Sequence, residues 1–327
     1  MNKSPTEKEE LFWDTAEIHE IDGFWYYAER NGTHGGLQVA IRVPKRRRLS
    51  GILSQNGHDV AQGALPHHPS PPRPRRGRRH LDEEEPAPSG PHALEFSFLL
   101  GRVQHLLLSP RRRLMHTHLP YSYLPEEVTR SPAAAAGCRK LVYLARNPKD
   151  TVVSMWHFYN QVHKGSAGPL SVERAVESFC SGVMPWGPFY EHVLGYWEES
   201  KKRPDEVLFL KYEELCGEPK EQVRKLASFL GRSFPSTTDG SGGGDDDEVE
   251  KVLWRSSFGR LKELEVNKYG AVGEQGLHLS HTIYFRKGTV GDWKNYLTSD
   301  MARCIDQVTQ NKLLGTGLSL DDFLFSF

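Results

Sequence analysis

Three short stretches of this chain put proton-handling and anion-binding groups beside breaks in regular structure. The first is THLPY, Thr117 to Tyr121. His118 follows His116 by two residues, so on a strand the two side chains share a face. Pro120 stops such a strand and leaves His118 near its C-terminal end, where ligands gather in open α/β sheets. An imidazole titrates near neutral pH and suits proton transfer; a hydrogen-bonded structural histidine is the alternative. The second stretch is RNPKDTVVS, Arg146 to Ser154. Arg146 offers a guanidinium fitted to bidentate phosphate binding, and Ser154 adds a hydroxyl. Local chemistry alone leaves Arg146 equally able to pair with a carboxylate. The third is FRKGTVGDWKNYLT, Phe285 to Thr298. Arg286, Lys287 and the Gly288 backbone can close over a phosphate there, and Gly288 and Gly291 permit close approach.

These groups need elements to hold them. Leu141 to Ala145 is an unbroken apolar run of the kind found in a central parallel strand. Asn147-Pro148 breaks it, and a helix carrying Val152, Val153, Trp156 and Tyr159 follows. A strand handing over to a helix N-terminus leaves unpaired N–H groups aimed at an anion. Val207 to Leu210 reads as a second buried strand, with Tyr212 just past its end. A third short strand is expected near Leu114. SVERAVESFCSG, GPFYEHVLGYWEESKK, CGEPKEQVRKLASFLG and the tail from Met301 all have helical spacing. In the second of these, Phe189, Tyr190, His192 and Trp197 read mostly as core. Leu94 to Leu108 is apolar and reads as a helix. DGSGGGDDDEVEKV, from Asp239, reads as a flexible acidic linker whose adjacent aspartates lack calcium-loop spacing. Trp25, Tyr26 and Tyr27 read as residues packing on the body, with the edge of a ligand pocket as the alternative.

Composition narrows the classes. The 327 residues are 37% hydrophobic with zero formal net charge, which argues against a general nucleic-acid or membrane-surface partner. Cys138, Cys180, Cys216 and Cys304 lie far apart without metal-site spacing and read as reduced thiols. MNKSPTEKEELFW has no apolar signal core, and no run is long enough to span a bilayer, so a cytoplasmic location is expected. From about Gly35 to Ser89 the chain turns basic, then proline-rich, then acidic, with no drawable core face. That composition is expected to give irregular structure.

In this order, THLPY, RNPKDTVVS and RKGTVGDW resemble the cytosolic sulfotransferase family, and its plant members most. The resemblance runs from about Arg111 to the C-terminus, with a weaker patch near the N-terminus, and RKGxxGDW is its most specific part. It implies transfer of a sulfuryl group from 3′-phosphoadenosine 5′-phosphosulfate (PAPS) to a hydroxyl of a small phenolic, flavonoid or steroid-like acceptor. It also implies an α/β three-layer sandwich with a mainly parallel central sheet, the P-loop-NTPase-like sulfotransferase fold. The domain is expected at 91–327, behind an N-terminal segment (1–34) and an insertion (35–90). His118 would be the general base. Arg146, Ser154, Arg286, Lys287 and Gly288 would hold the donor's 3′-phosphate. Ser256, with Ser257 and Phe258, would touch the adenine nucleotide, as would Tyr212, although a tyrosine closing a core would look the same. No metal is demanded. Absence of any GxxxxGK[ST] string argues against an ATP-dependent kinase on the same sheet.

One family feature is missing. The family places a loop close to PKSGTTW near the N-terminus; its N–H groups cradle the 5′-phosphosulfate and its lysine reaches the bridging oxygen. No such string stands here; Lys45, Arg46, Arg47 and Arg48 are not flanked by a glycine loop. Gly51 to Leu65, GILSQNGHDVAQGAL, can be read one base forward with synonymous third bases chosen freely. That frame spells ASYPKTGTTWLKAL. The first and third bases of each shifted codon come largely from fixed positions, so agreement along the whole loop is hard to reach by accident. The expectation is a reading frame lost near Gly35 and regained before Arg111. A chain lacking the loop should lose turnover and most donor affinity, since removing even one preorganised donor costs on the order of 3 kcal/mol of barrier.

Overall fold

The computed structural model describes residues 8–12, 16–21, 23–27, 117–124, 129, 140–162, 169–234, 245–272 and 279–320. The strand expected near Leu114, His116, the helix expected over Leu94 to Leu108 and the insertion at 35–90 lie outside them. The chain opens with an antiparallel meander of β1 (Lys8–Phe12), β2 (Ala16–Ile21) and β3 (Phe24–Tyr27). Trp25 and Tyr26 are buried, so the packing reading holds for both. Two backbone bonds, Trp25 N–H to the Gly187 carbonyl (2.9 Å) and Trp186 N–H to the Trp25 carbonyl (2.8 Å), sew β3 onto the main body.

That body is built on two parallel strands. β4 (Leu141–Ala145) pairs with β5 (Val207–Lys211) in register from Leu141 opposite Val207 to Ala145 opposite Lys211. Between them run α1 (Pro148–Val162), α2 (Val172–Ser181) and α3 (Phe189–Lys202). After β5 come α4 (Tyr212–Gly217), α5 (Pro219–Phe229), α6 (Asp245–Arg255), α7 (Phe258–Glu263) and α8 (Glu265–Tyr269). A small antiparallel pair, β6 (Ala271–Val272) and β7 (Leu279–Ser280), precedes α9 (Ser299–Leu313).

Strand alternation sorts the side chains of β4 to two faces. Leu141, Tyr143 and Ala145 pack into the large core with Val152, Val153, Tyr190, Val193 and Ile305, contributed by α1, α3 and α9. Leu144 points the other way, into a second core of Leu215, Val223, Val249 and Leu253 from α4, α5 and α6. Helices thus cover both faces of the parallel pair, which is the expected layering.

One reading is corrected here. The acidic run is not all linker, because Asp245 begins α6. Val249 and Leu253, four residues apart and fully buried, anchor it. Its acidic first turn faces the positive end of the helix dipole, and the Arg224 guanidinium donates to Asp245 (2.9 Å) and to Asp246. Cys180 and Cys304, far apart in sequence, meet in the fold: their sulfurs, on α2 and α9, lie 3.4 Å apart. Both remain free thiols.

Candidate functional site

The handover from β4 to α1 is capped by its own residues. Pro148 takes the first helical position, where a missing N–H costs nothing. Asn147 caps the helix, its side-chain Oδ1 accepting from the Lys149 N–H at 2.9 Å. The same residue donates its backbone N–H to Glu213 Oε1 (2.8 Å) and its Nδ2 to the Leu320 carbonyl (3.2 Å). Burial pushes the Glu213 carboxyl up, and the Asn147 N–H acts against that.

Asp150, three residues into this turn, reaches across the molecule. Its carboxylate accepts the Gly291 N–H at 2.6 Å and the Trp293 N–H at 3.0 Å. The Arg146 guanidinium lies 3.9 Å from the same carboxylate and donates to the Thr289 carbonyl at 3.2 Å. The β4–α1 turn and the C-terminal basic loop therefore form one site. Of the alternatives left open by its sequence, the carboxylate neighbour is present in Asp150, and the guanidinium also reaches the loop. Lys149 points elsewhere, to Asp306 at 2.7 Å and over the Trp293 ring at 4.5 Å.

In the loop, Asp292 gathers the cations. Arg286 donates to Oδ2 at 2.5 Å and Lys287 to Oδ1 at 2.6 Å, with Asn295 adding a third bond at 2.8 Å. Burial pushes the Asp292 carboxyl up, but the bonds from Lys287, Arg286 and Asn295 outweigh it and hold the pKa at about 2. Both cations are thus gathered on the Asp292 carboxylate. The local field is read by His157 on α1. Burial lowers its pKa first, and the nearby Arg286 charge lowers it further.

Gly288 sits at φ +65°, and a Cβ there would come within 2.5 Å of Phe258 Cδ2. Only a residue without a side chain fits this left-handed turn against the Phe258 ring. We expect Gly288→Ala to destabilise the protein by about 2 kcal/mol, combining left-handed strain with overpacking on Phe258. A thermal melt checks this, and a variant that melts with the wild type would refute the close-packed loop.

The remaining predicted residues divide. Tyr212 is buried at the C-terminal end of β5, and the Arg146 guanidinium lies 4.7 Å over its ring. It therefore closes the core and also borders the basic site. Burial raises its pKa strongly. Ser154 is half-buried on α1, one turn beyond Asp150. Ser256 donates its hydroxyl to the Val252 carbonyl at 2.8 Å, so its proton is engaged within α6. It stands two residues before Phe258, whose ring touches Gly288.

His118 is exposed, with its ring beside that of Trp186 (centroids 6.2 Å, interplanar 25°). Phe24, Tyr26 and Tyr123 continue an aromatic wall from there, Tyr26 lying 5.5 Å from both Trp186 and Tyr123. His192 Nε2 is 2.9 Å from the His118 carbonyl, and its Nδ1 is 3.0 Å from the Tyr143 hydroxyl in β4. The strand that leads into Arg146 thus also holds the main chain at His118. Asp150, Asp292 and His192 were not singled out by sequence reasoning as site residues. The only local signals were an acid in a helix's first turn and the aspartate of RKGxxGDW.

A family model for the sulfotransferase domain matches residues 92–317. The chain belongs to the sulfotransferase family. Among curated sulfotransferases it is 42% identical over 229 residues to cytosolic sulfotransferase 17 of Arabidopsis thaliana, covering 68% of this chain and 62% of that protein. It is 42% identical over 205 residues to flavonol 3-sulfotransferase of Flaveria bidentis, covering 62% of each. The match thus spans less than two thirds of either relative. A crystal structure of a mouse sulfotransferase complexed with PAP superposes with a TM-score of 0.52 at 28% identity, covering 67% of this chain and 71% of that one. No helix among the described residues is long and apolar enough to cross a membrane.

Proposed function

We propose that this chain transfers a sulfuryl group from PAPS to a hydroxyl of a small phenolic, flavonoid or steroid-like acceptor in the cytoplasm. The observation that carries the reading is Asp150, which ties the RNPKD turn and the RKGTVGDW loop into one basic site. Arg146, Arg286, Lys287, the Gly288 amide and Ser154 would hold the donor's 3′-phosphate, the group that separates this donor from ATP. Tyr212 and Ser256 would border its adenine. The aromatic wall of Phe24, Tyr123 and Trp186 suits a flat acceptor. In the reaction the acceptor oxygen attacks sulfur in line while its proton passes to the His118 imidazole. The bond from sulfur to the bridging phosphate oxygen breaks, and 3′-phosphoadenosine 5′-phosphate leaves. Positioning and fixed positive charge can supply the catalysis without a metal.

The missing phosphate loop favours a second reading: a non-catalytic relative that keeps the 3′-phosphate and adenine half-site. Transfer of labelled sulfate from PAPS to a flavonol, run beside ATP-dependent phosphorylation and a calorimetric titration with 3′-phosphoadenosine 5′-phosphate, separates the possibilities. Sulfate transfer supports the first reading. Nucleotide binding without transfer supports the second. Phosphorylation, or no binding of either nucleotide, defeats both. Sequencing the transcript across the codons for Gly35 to Arg111 tests the origin of the gap. An uninterrupted frame in RNA, with no alternative splice, removes the frameshift explanation.

A further inference from the structure

Helix α3 carries two residues one turn apart, His192 and Tyr196, that act on consecutive main-chain carbonyls of the base-bearing segment. His192 Nε2 meets the His118 oxygen at 2.9 Å, and the Tyr196 hydroxyl donates to the Leu119 oxygen at 2.8 Å. The segment is tightened further by the Leu119 N–H donating to Thr117 Oγ1 at 3.1 Å. A carbonyl oxygen only accepts, so His192 must carry its proton on Nε2. Its Nδ1 can then only accept, and the Tyr143 hydroxyl at 3.0 Å supplies that proton. Tyr143 is itself immobilised, stacked on Tyr196 (4.3 Å, 17°) and packed against Phe209 of β5 (5.4 Å).

This relay does more than fasten a loop. It runs from the strand that positions Arg146 to the main chain of His118, so the phosphate site and the base share one rigid reference. It also requires a neutral ring beside His118. A charged His192 would repel the imidazolium that forms when His118 takes the acceptor's proton. Burial lowers the His192 pKa to about 4, against the bond to the His118 carbonyl, which raises it.

We propose that His192 and Tyr143 are positioning residues for sulfuryl transfer, holding His118 through a fixed Tyr143–His192–carbonyl relay with the His192 proton on Nε2. The proposal rests on His118 being the base, as argued above. Sequence reasoning assigned His192 mostly to the core, in a region that the family resemblance makes part of the acceptor pocket.

The test compares the wild type with His192→Phe, His192→Gln and Tyr143→Phe. A glutamine amide can place an N–H near the position of Nε2, whereas phenylalanine removes both bonds. We expect His192→Phe to lower kcat by about 10- to 100-fold, the scale of an ångström-level misplacement. Affinity for 3′-phosphoadenosine 5′-phosphate should stay within about twofold, because the relay does not touch that site. His192→Gln should recover most of kcat, and Tyr143→Phe should fall between. A merely structural role would move melting temperature and nucleotide affinity together, with no rescue by glutamine. A His192→Phe variant with wild-type kcat, or a glutamine variant no better than phenylalanine, overturns the proposal.

Should His192→Phe not fold, His192→Gln and Tyr143→Phe carry the comparison. Histidine nitrogen resonances of the wild type at pH 7 decide the tautomer independently. A neutral His192 protonated on Nε2 supports the relay, and a ring protonated on Nδ1, or on both nitrogens, defeats it. If the wild type transfers no sulfate, the proposed function fails. The relay is then judged by the His118 ring signal, which should shift in Tyr143→Phe and return toward wild type in His192→Gln; an unchanged signal sinks it.

Discussion

Replacing His118 with alanine is expected to lower kcat for sulfuryl transfer by about 10²- to 10⁴-fold, the range of a lost general base. Its affinity for 3′-phosphoadenosine 5′-phosphate should be unchanged. The two effects separate because the side chain is exposed and is not among the groups proposed to hold the nucleotide. Stability should also hold to within about 0.5 kcal/mol, as for surface positions outside special networks. The structural bond at this residue is made by its carbonyl, which alanine keeps. Rates with labelled PAPS and a flavonol acceptor, measured with a melt of the same sample, check this. A variant that keeps a third or more of wild-type kcat removes His118 from the mechanism. If only a form carrying the in-frame phosphate loop turns over, the same comparison applies within that form.

Asp150→Ala should produce the largest loss of stability, about 3 to 5 kcal/mol, the cost of removing one partner from a buried charged network. The carboxylate is 1% exposed and satisfies two backbone N–H groups 141 and 143 residues away in sequence. Alanine leaves both donors without a partner and leaves Arg146 without its neighbouring carboxylate. The loss should appear as a lower urea midpoint with an unchanged slope. Nucleotide affinity should fall as well, by at least about tenfold, because Arg286, Lys287 and Gly288 belong to the loop that Asp150 anchors. Asp150→Asn keeps one accepting oxygen and should recover part of both. Wild-type stability and affinity in the alanine variant would show that the two basic segments hold together without this residue.

Those two experiments touch the parts of the site that differ most in legibility. His118, Arg146 and Arg286 to Gly288 could be picked out as candidates because each lies in a short run whose turn residues and side-chain types are set by local rules; the roles proposed for them come from the resemblance of those runs to the family. The buried strands at Leu141 and Val207 were legible for the same reason, as unbroken apolar runs. The N-terminus of α6 was not, since three adjacent aspartates look like solvated linker until Val249 and Leu253 find a core to enter.

Residue types and spacing alone determined the family motifs and the strand–turn–helix around Arg146. Only the tertiary structure decided that Asp150 binds the C-terminal loop, that His192 grips the main chain of His118 and that Cys180 meets Cys304. The physical reason is range. Periodicity, capping and turn chemistry act over a few residues and leave a mark in the local string. A hydrogen bond across more than a hundred residues depends on how layers pack, and a single aspartate or histidine carries no local sign of a partner that far away.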